Sequence, residues 1–249
     1  IADRHIKRIT KMVDEDDEAH MAFREFVRGL KKNLNPSITE ADAIQMLSQH
    51  IITKPVFEAL FEKYSFANSN PVSQAMQKAL DAIEHKAVSA EELEIMEGFY
   101  RSVRRRAEGV DNAEGKQRII VELYDKFFKT GFPKLVEQWG IVYTPVEVVD
   151  FIIHSVSDVL QKEFGRSLSD EGVNIIDPFT GTGTFITRLL QSGLIKKEDL
   201  ERKYKNEIFA NEFLLLAYYI GAVNIENVYH DIMGKDEYDE FPGIVLTDT

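Results

Sequence analysis

Residues 175 to 185 read IIDPFTGTGTF: an apolar pair, an aspartate, then two glycines one residue apart. An acid at the end of a buried strand, followed by Gly-x-Gly, lets the chain bend closely around a ligand, because side-chain-free positions tolerate both the turn and the contact. A phosphate-cradling P-loop needs a lysine after its last glycine, and none follows Gly183. A dinucleotide fingerprint needs a third glycine where Ile186 stands, and an acid at the end of the next strand. Asp199 and Glu201 lie near the right distance, but within the polar stretch KKEDLERKY. The remaining chemistry is that of S-adenosylmethionine, which has no phosphate to bind. Its amino and ribose hydroxyl groups ask for carboxylates, which accept hydrogen bonds without donating. Asp177, Glu212 and Asp248 each close a short apolar run, as expected where ligands bind at the carboxyl ends of parallel strands. Other readings of these residues stay open. The glycines can serve only to turn the chain, Glu212 can be an acid at a helix start, and Asp231 in YHDI rivals Asp248.

The surrounding elements must place these groups. Residues 1–135 read as successive helices, with Ile6, Ile9, Val13, Met21, Phe23, Phe26, Val27 and Leu30 at helical spacing. SITE predicts a capping box between Ser37 and Glu40, Asn70-Pro71 a helix start, and SAEE a second box between Ser89 and Glu92. The helix after Ser89 should stop near Gly109, and another should span about 113–129. Residues 136–249 change character. A helix predicted from Thr144, with Pro145 next and Glu147 closing its box, stops at Gly165. Then VNIID, EIFANE and GIVLTD read as strands alternating with helices. The expected fold is an α-helical bundle domain over 1–135, followed over 136–249 by the cofactor-binding half of an α/β, Rossmann-like methyltransferase domain with a parallel sheet. Three strands leave a sheet edge unpaired, so a piece of a longer domain is expected.

Composition narrows the classes. Of 249 residues 44% are hydrophobic and 29% charged, and there is no cysteine, which excludes disulfides, zinc–thiolate sites and cysteine nucleophiles. No apolar run reaches membrane-span length and no signal peptide is visible, so a cytoplasmic protein is expected. The net charge of −12 falls almost wholly in residues 136–249, which carry 9 Lys+Arg against 20 Asp+Glu. That half lacks the basic footprint of a self-sufficient nucleic-acid binder. DEAH at Asp17–His20 has no P-loop or preceding apolar strand, and reads as a coincidence on a solvent face. RSVRRR (Arg101, Arg104, Arg105, Arg106) divides evenly between completing a helix end and touching a DNA backbone. The six histidines show no metal spacing.

DPFTGTGTF resembles the first cofactor motif of amino-group DNA methyltransferases, and GIVYTP upstream is similar to their YTP motif in the order of N6-adenine enzymes. More specifically, KFFKTGFPKLVEQWGIVYTPVEVVDFIIHSV, RLLQSGLI, ANEFLLLAYYIGAVNIE and FPGIVLTDT together resemble the Type ISP restriction–modification enzymes. These are single polypeptides joining a nuclease, a helicase-like ATPase, a helical coupler, an adenine methyltransferase and a target-recognition domain. The similarity is strong over 115–249, and the preceding helices fit the coupler in position. The resemblance implies that Tyr143, Thr144 and Pro145 flank the methionine end of S-adenosylmethionine. Asp177, Pro178, Phe179, Thr180, Gly181, Thr182, Gly183, Thr184 and Phe185 would form the main cofactor loop. Glu212 would take the ribose and Asp248 the adenine. It further implies DNA as a partner, mainly through regions outside this chain, with the helicase/nuclease and target-recognition domains as intramolecular partners and no membrane. The family's catalytic Asn-Pro-Pro-aromatic motif is absent, since the sequence has no Pro-Pro, so no catalytic residue is assigned and the chain alone is expected to be inactive. Two alternatives remain: an interaction scaffold with a degenerate pocket, which would bind no cofactor, and a methyltransferase for RNA or protein, which would carry another motif in place of Asn-Pro-Pro.

Overall fold

The computed structural model describes residues 2–60, 69–83, 97, 101, 105, 144–234 and 239–248. The chain divides into two compact units, residues 1–138 and 139–249.

In the first unit the described residues form helices α1 (Ala2–Glu15), α2 (Asp17–Asn33), α3 (Glu40–Leu60) and α4 (Pro71–Ile83). The apolar spacing over the first 30 residues is carried by two successive helices. Asp16 leaves helical geometry (φ −130°), and its carboxylate accepts from the Glu18 and Ala19 N–H groups, opening α2. DEAH is therefore the first turn of α2, where acids meet the positive end of the helix dipole. Ile9, Val13, Ala19, Phe23, Val27, Leu47, Ile52, Met76, Leu80 and Ile83 form the core. His50 lies in this core, and burial pushes its pKa down to about 4.

Asn70 caps α4 as expected, its Oδ1 accepting from Val72 and Ser73 N–H. The box predicted at Ser37 sits two residues further on. Thr39 Oγ1 accepts from Asp42 N–H at 3.2 Å, while the Asp42 carboxylate accepts from Thr39 N–H at 2.9 Å. Ser37 is diverted: its N–H and hydroxyl both donate to Asn35 Oδ1. Thr39→Ala is expected to cost about 1 kcal/mol, read as a Tm lowered by roughly 2–4 °C. The expected capping box at Ser89, the helix end at Gly109 and the helix over 113–129 lie outside the described residues, as do Arg104 and Arg106. Arg101 and Arg105 are exposed and helical.

The second unit contains α5 (Val146–Phe164), β1 (Ile175–Asp177), α6 (Thr184–Gln191), α7 (Lys197–Asn206), β2 (Ile208–Glu212), α8 (Leu215–Met233) and β3 (Ile244–Leu246). The strands form a parallel sheet in the order β1-β2-β3. Parallel neighbours require crossovers, which α6–α7 and α8 supply. Ile208, Ala210 and Ile244 face inward and are buried, whereas Ile176, Phe209 and Val245 point outward and are exposed. Gly165 ends α5 in a left-handed conformation (φ 61°), as its sequence position predicts. The start of α5 differs from expectation: Pro145 occupies the cap position, no side chain caps it, and Thr144 lies outside the helix. α8 is buried at every residue from Leu215 to His230. Its far end is pinned by Tyr229 stacking on Tyr204, with ring centroids 3.7 Å apart, and by Glu226 accepting from the Phe241 N–H.

One polar cluster anchors the entry into β1. Lys203 is fully buried, yet its ammonium donates to the Asp170 and Val173 carbonyls at 2.6 and 2.8 Å and pairs with Glu207 at 2.8 Å. Glu207 also accepts from Gly172 N–H and pairs with Arg202. Burial alone would raise the Glu207 pKa, but Gly172, Lys203 and Arg202 bring it below its usual value. A buried charge holds its place only when paired and hydrogen-bonded in this way.

Candidate functional site

Asp177 ends β1, and the turn after it is held from three sides. Thr180 Oγ1 donates back to the Asp177 carbonyl at 2.9 Å, and Thr180 N–H donates across to Asn211 O on β2 at 3.0 Å. Gly181 N–H donates to Glu212 Oε2 at 2.8 Å. Gly181 and Gly183 both have left-handed backbones (φ 56° and 82°), where a side chain would be strained. Gly183 N–H then closes on Thr180 O, and α6 begins at Thr184.

Glu212, at the end of β2, joins the loop to the next helix. While Oε2 takes Gly181 N–H, Oε1 accepts from Phe213 and Leu214 N–H at 2.9 and 2.7 Å. Its backbone carbonyl accepts from Thr247 N–H, drawing the end of β3 to the same rim. Glu212 is thus both an acid at a helix start and a loop latch. Asp177 offers one oxygen to Phe179 N–H at 3.3 Å, while its other oxygen, Oδ2, is buried without a hydrogen-bond partner. Burial raises the pKa of both acids, and for Glu212 the neighbouring Asp177 charge adds to the rise.

The expected site residues divide as follows. Asp177, Thr180, Gly181, Thr182, Gly183 and Glu212 come together at the carboxyl ends of β1 and β2. Pro178 is exposed and Phe179 is 79% exposed beside them, while Thr184 and Phe185 form the first turn of α6. Asp248 follows β3 by two residues, rather than ending it, and is exposed. Its rival Asp231 lies in α8, which runs to Met233, so YHDI is helix and not strand. Thr144 and Pro145 are exposed at the head of α5, and Tyr143 lies outside the described residues. Two residues of α8 that sequence motifs did not indicate also touch the loop. Asn224 Nδ2 donates to Thr182 O at 2.9 Å, and Gly221 packs against Gly181 and Gly183. A polar residue and a glycine inside an apolar helix were the available signal.

A separate cavity of about 330 Å³ lies along β1, walled by α5 (Ile152, Ile153, Val156) and α6 (Ile186, Leu189). Asp177 is its one polar lining side chain, and neither Glu212 nor the loop glycines line it. Among the described residues no three His, Asp or Glu side chains group as metal ligands, and no helix is long and apolar enough to cross a membrane.

The chain is thus a helical first unit and a second unit in which a glycine turn is latched over parallel strands. Residues 1–115 match the family described as Type ISP restriction-modification enzyme, coupler domain. Nearly the whole chain is similar to three solved structures. The ATP-dependent Type ISP restriction-modification enzyme LlaBIII bound to DNA is 53% identical with a TM-score of 0.89, over 99% of this chain and 17% of that one. A nuclease-deletion mutant of the Type ISP enzyme LlaGI, in complex with a DNA substrate mimic, is 53% identical with a TM-score of 0.87, over 99% of this chain and 20% of that one. The DrdV–DNA complex is 34% identical with a TM-score of 0.87, over 98% of this chain and 24% of that one. The chain thus spans about a fifth of the length of the solved chains it matches. No curated protein matches the sequence.

Proposed function

We propose that this chain comprises the coupler and the S-adenosylmethionine-binding part of a Rossmann-like adenine-N6 DNA methyltransferase, within a single-chain restriction–modification enzyme of Type ISP character. The observation that carries the reading is the Asp177–Gly181–Glu212 constellation. Asp177 keeps a buried oxygen without a donor, and a Cβ added at Gly181 would meet nothing within 4 Å, so the turn has both an unmet acceptor and open space beside it. These features fit a cofactor that brings a cationic amine and two ribose hydroxyls. Asp177 would accept from the amine, Glu212 would use the acceptor site left on Oε2 for a ribose hydroxyl, and Asp248 would accept from the adenine amino group. When bound, S-adenosylmethionine supplies an electrophilic methyl group. The chain's own task is to hold it in one orientation, which is worth much of the rate of a direct transfer.

The open edge of β1 and the apolar cavity beside it suit further strands and a covering helix from the rest of the enzyme. The catalytic Asn-Pro-Pro-aromatic motif would come with them. The relatives' complexes with DNA support DNA as the partner of the whole enzyme, and the coupler would tie methylation status to an upstream motor. Introducing Asp177→Ala into the intact enzyme should abolish N6-methyladenine formation on its DNA, as read by mass spectrometry of digested product. Undiminished methylation would overturn the reading.

The raised acids set a pH signature with opposite signs. Binding requires both as carboxylates, so affinity should fall as pH drops through their raised values, above the ordinary carboxylate range. The ligand-free chain should respond in reverse. A folded state that holds its protons more tightly than the unfolded chain loses stability as pH rises through that window. Calorimetric Tm values from pH 7.5 to 5, with and without S-adenosylmethionine, should therefore converge on acidification.

A further inference from the structure

Gly221 lies in the interior of α8 with ordinary helical backbone, where glycine costs about 1 kcal/mol relative to alanine. Its backbone does not need glycine; the space beside it does. A Cβ at 221 would stand 2.9 Å from Gly181 O, a backbone atom of the cofactor loop, and one at 183 would stand 3.1 Å from Gly221 O. Loop and helix therefore touch backbone to backbone. Three residues on, Asn224 is 2% exposed and donates Nδ2 to the next carbonyl, Thr182 O, at 2.9 Å. Its Oδ1 is buried without a hydrogen-bond partner, so this amide is retained at a cost.

We infer that Gly221 and Asn224 are positioning residues for the ligand loop. Between them they fix two successive carbonyls, Gly181 and Thr182. That orients the Gly181–Thr182 and Thr182–Gly183 peptide planes, next to the plane whose Gly181 N–H points at Glu212 Oε2, 2.8 Å away. The turn's shape then belongs to α8 as much as to the D-P-x-x-G-x-G sequence. The inference rests on the cofactor reading for its consequence, but its geometry can be tested without ligand.

The test uses the 249-residue chain labelled with nitrogen-15, and compares Gly221→Ala and Asn224→Ala with Val223→Ala. Val223 is buried in the same helix, roughly 160° around it from Gly221 and about 100° from Asn224, and serves as the destabilising control. Both test variants should move the Gly181 amide resonance and weaken S-adenosylmethionine binding tenfold or more, while Val223→Ala leaves both unchanged. If Gly221→Ala fails to fold, Asn224→Asp serves instead, since it keeps the size but presents an acceptor to Thr182 O. A Gly181 amide unmoved in the test variants, or moved equally in Val223→Ala, would overturn the inference, as would unchanged affinity in variants whose native parent binds. A native chain that binds nothing, with the Gly181 amide still responding only to Gly221 and Asn224, would sink the cofactor reading and leave the positioning role standing.

Discussion

Asp177→Ala is expected to weaken S-adenosylmethionine binding about 100-fold, and Asp177→Asn to do nearly the same while raising the melting temperature of the ligand-free chain. Both effects have one cause. The Asp177 carboxylate is partly buried, has one oxygen without a donor, and has its pKa raised by that burial. In the absence of ligand it is a charge the fold would be better without. A cationic amine would reverse the sign by supplying the missing partner. Hydrogen bonds to charged groups contribute about 1.5–3 kcal/mol, and each 1.4 kcal/mol is about tenfold in affinity. Asparagine removes the charge at nearly constant shape, so the Tm of the ligand-free chain should rise. Differential scanning calorimetry over a cofactor series reads both quantities at once. A higher affinity in Asp177→Asn than in the native chain, or a Tm that falls with it, would contradict this assignment.

Glu207→Ala is expected to destabilise the second unit by about 3 kcal/mol. Removing one partner of a buried pair generally costs about 3–5 kcal/mol, because the other charge is left uncompensated. Here the lower end applies, since Lys203 keeps two backbone carbonyls as acceptors. Gly172 N–H would also lose its acceptor, loosening the segment that feeds β1. Tm should fall by roughly 6–12 °C. Glu207→Gln keeps an acceptor for Gly172 and should cost about half as much. Because the cluster sits at the start of β1 and the candidate site at its end, cofactor affinity in the remaining folded protein should be unchanged. Equal losses in the two variants would show that the charge pair, rather than the hydrogen bond from Gly172, carries the energy.

Element types were largely legible in the sequence, because apolar spacing and punctuating residues act locally. VNIID, EIFANE and GIVLTD are strands, Gly165 ends a helix, and Asn70-Pro71 starts one. Details that depended on competition between neighbours were not. The break at Asp16 sits between two runs that each keep helical apolar spacing, so the spacing within either run did not reveal it. Ser37 and Thr39 both precede an acid by three residues, and the choice between them was made by Asn35, which captures Ser37. The helix expected to cap on Thr144 begins at Val146. Asp231 was ambiguous because the end of an apolar helix reads much like a strand. In the site, Asp177, Gly181, Gly183 and Glu212 were named from residue type and position alone; the structure bonds Gly181 to Glu212 and places Asp177 and Gly183 on the same turn. What the sequence could not show was the backing of the loop by Gly221 and Asn224. A glycine and an amide forty residues downstream carry no motif, and only the crossover of α8 over the sheet brings them to the turn.

The most direct measurement is a calorimetric titration of the native chain with S-adenosylmethionine, with NADH as the control ligand. Saturable binding at one site for S-adenosylmethionine and none for NADH is the expected result, since the turn has carboxylates for an amine and ribose but no basic group for a pyrophosphate. A chain that is folded by circular dichroism and takes up no S-adenosylmethionine, or that binds NADH as well, would contradict the assignment of this loop to the methyl donor.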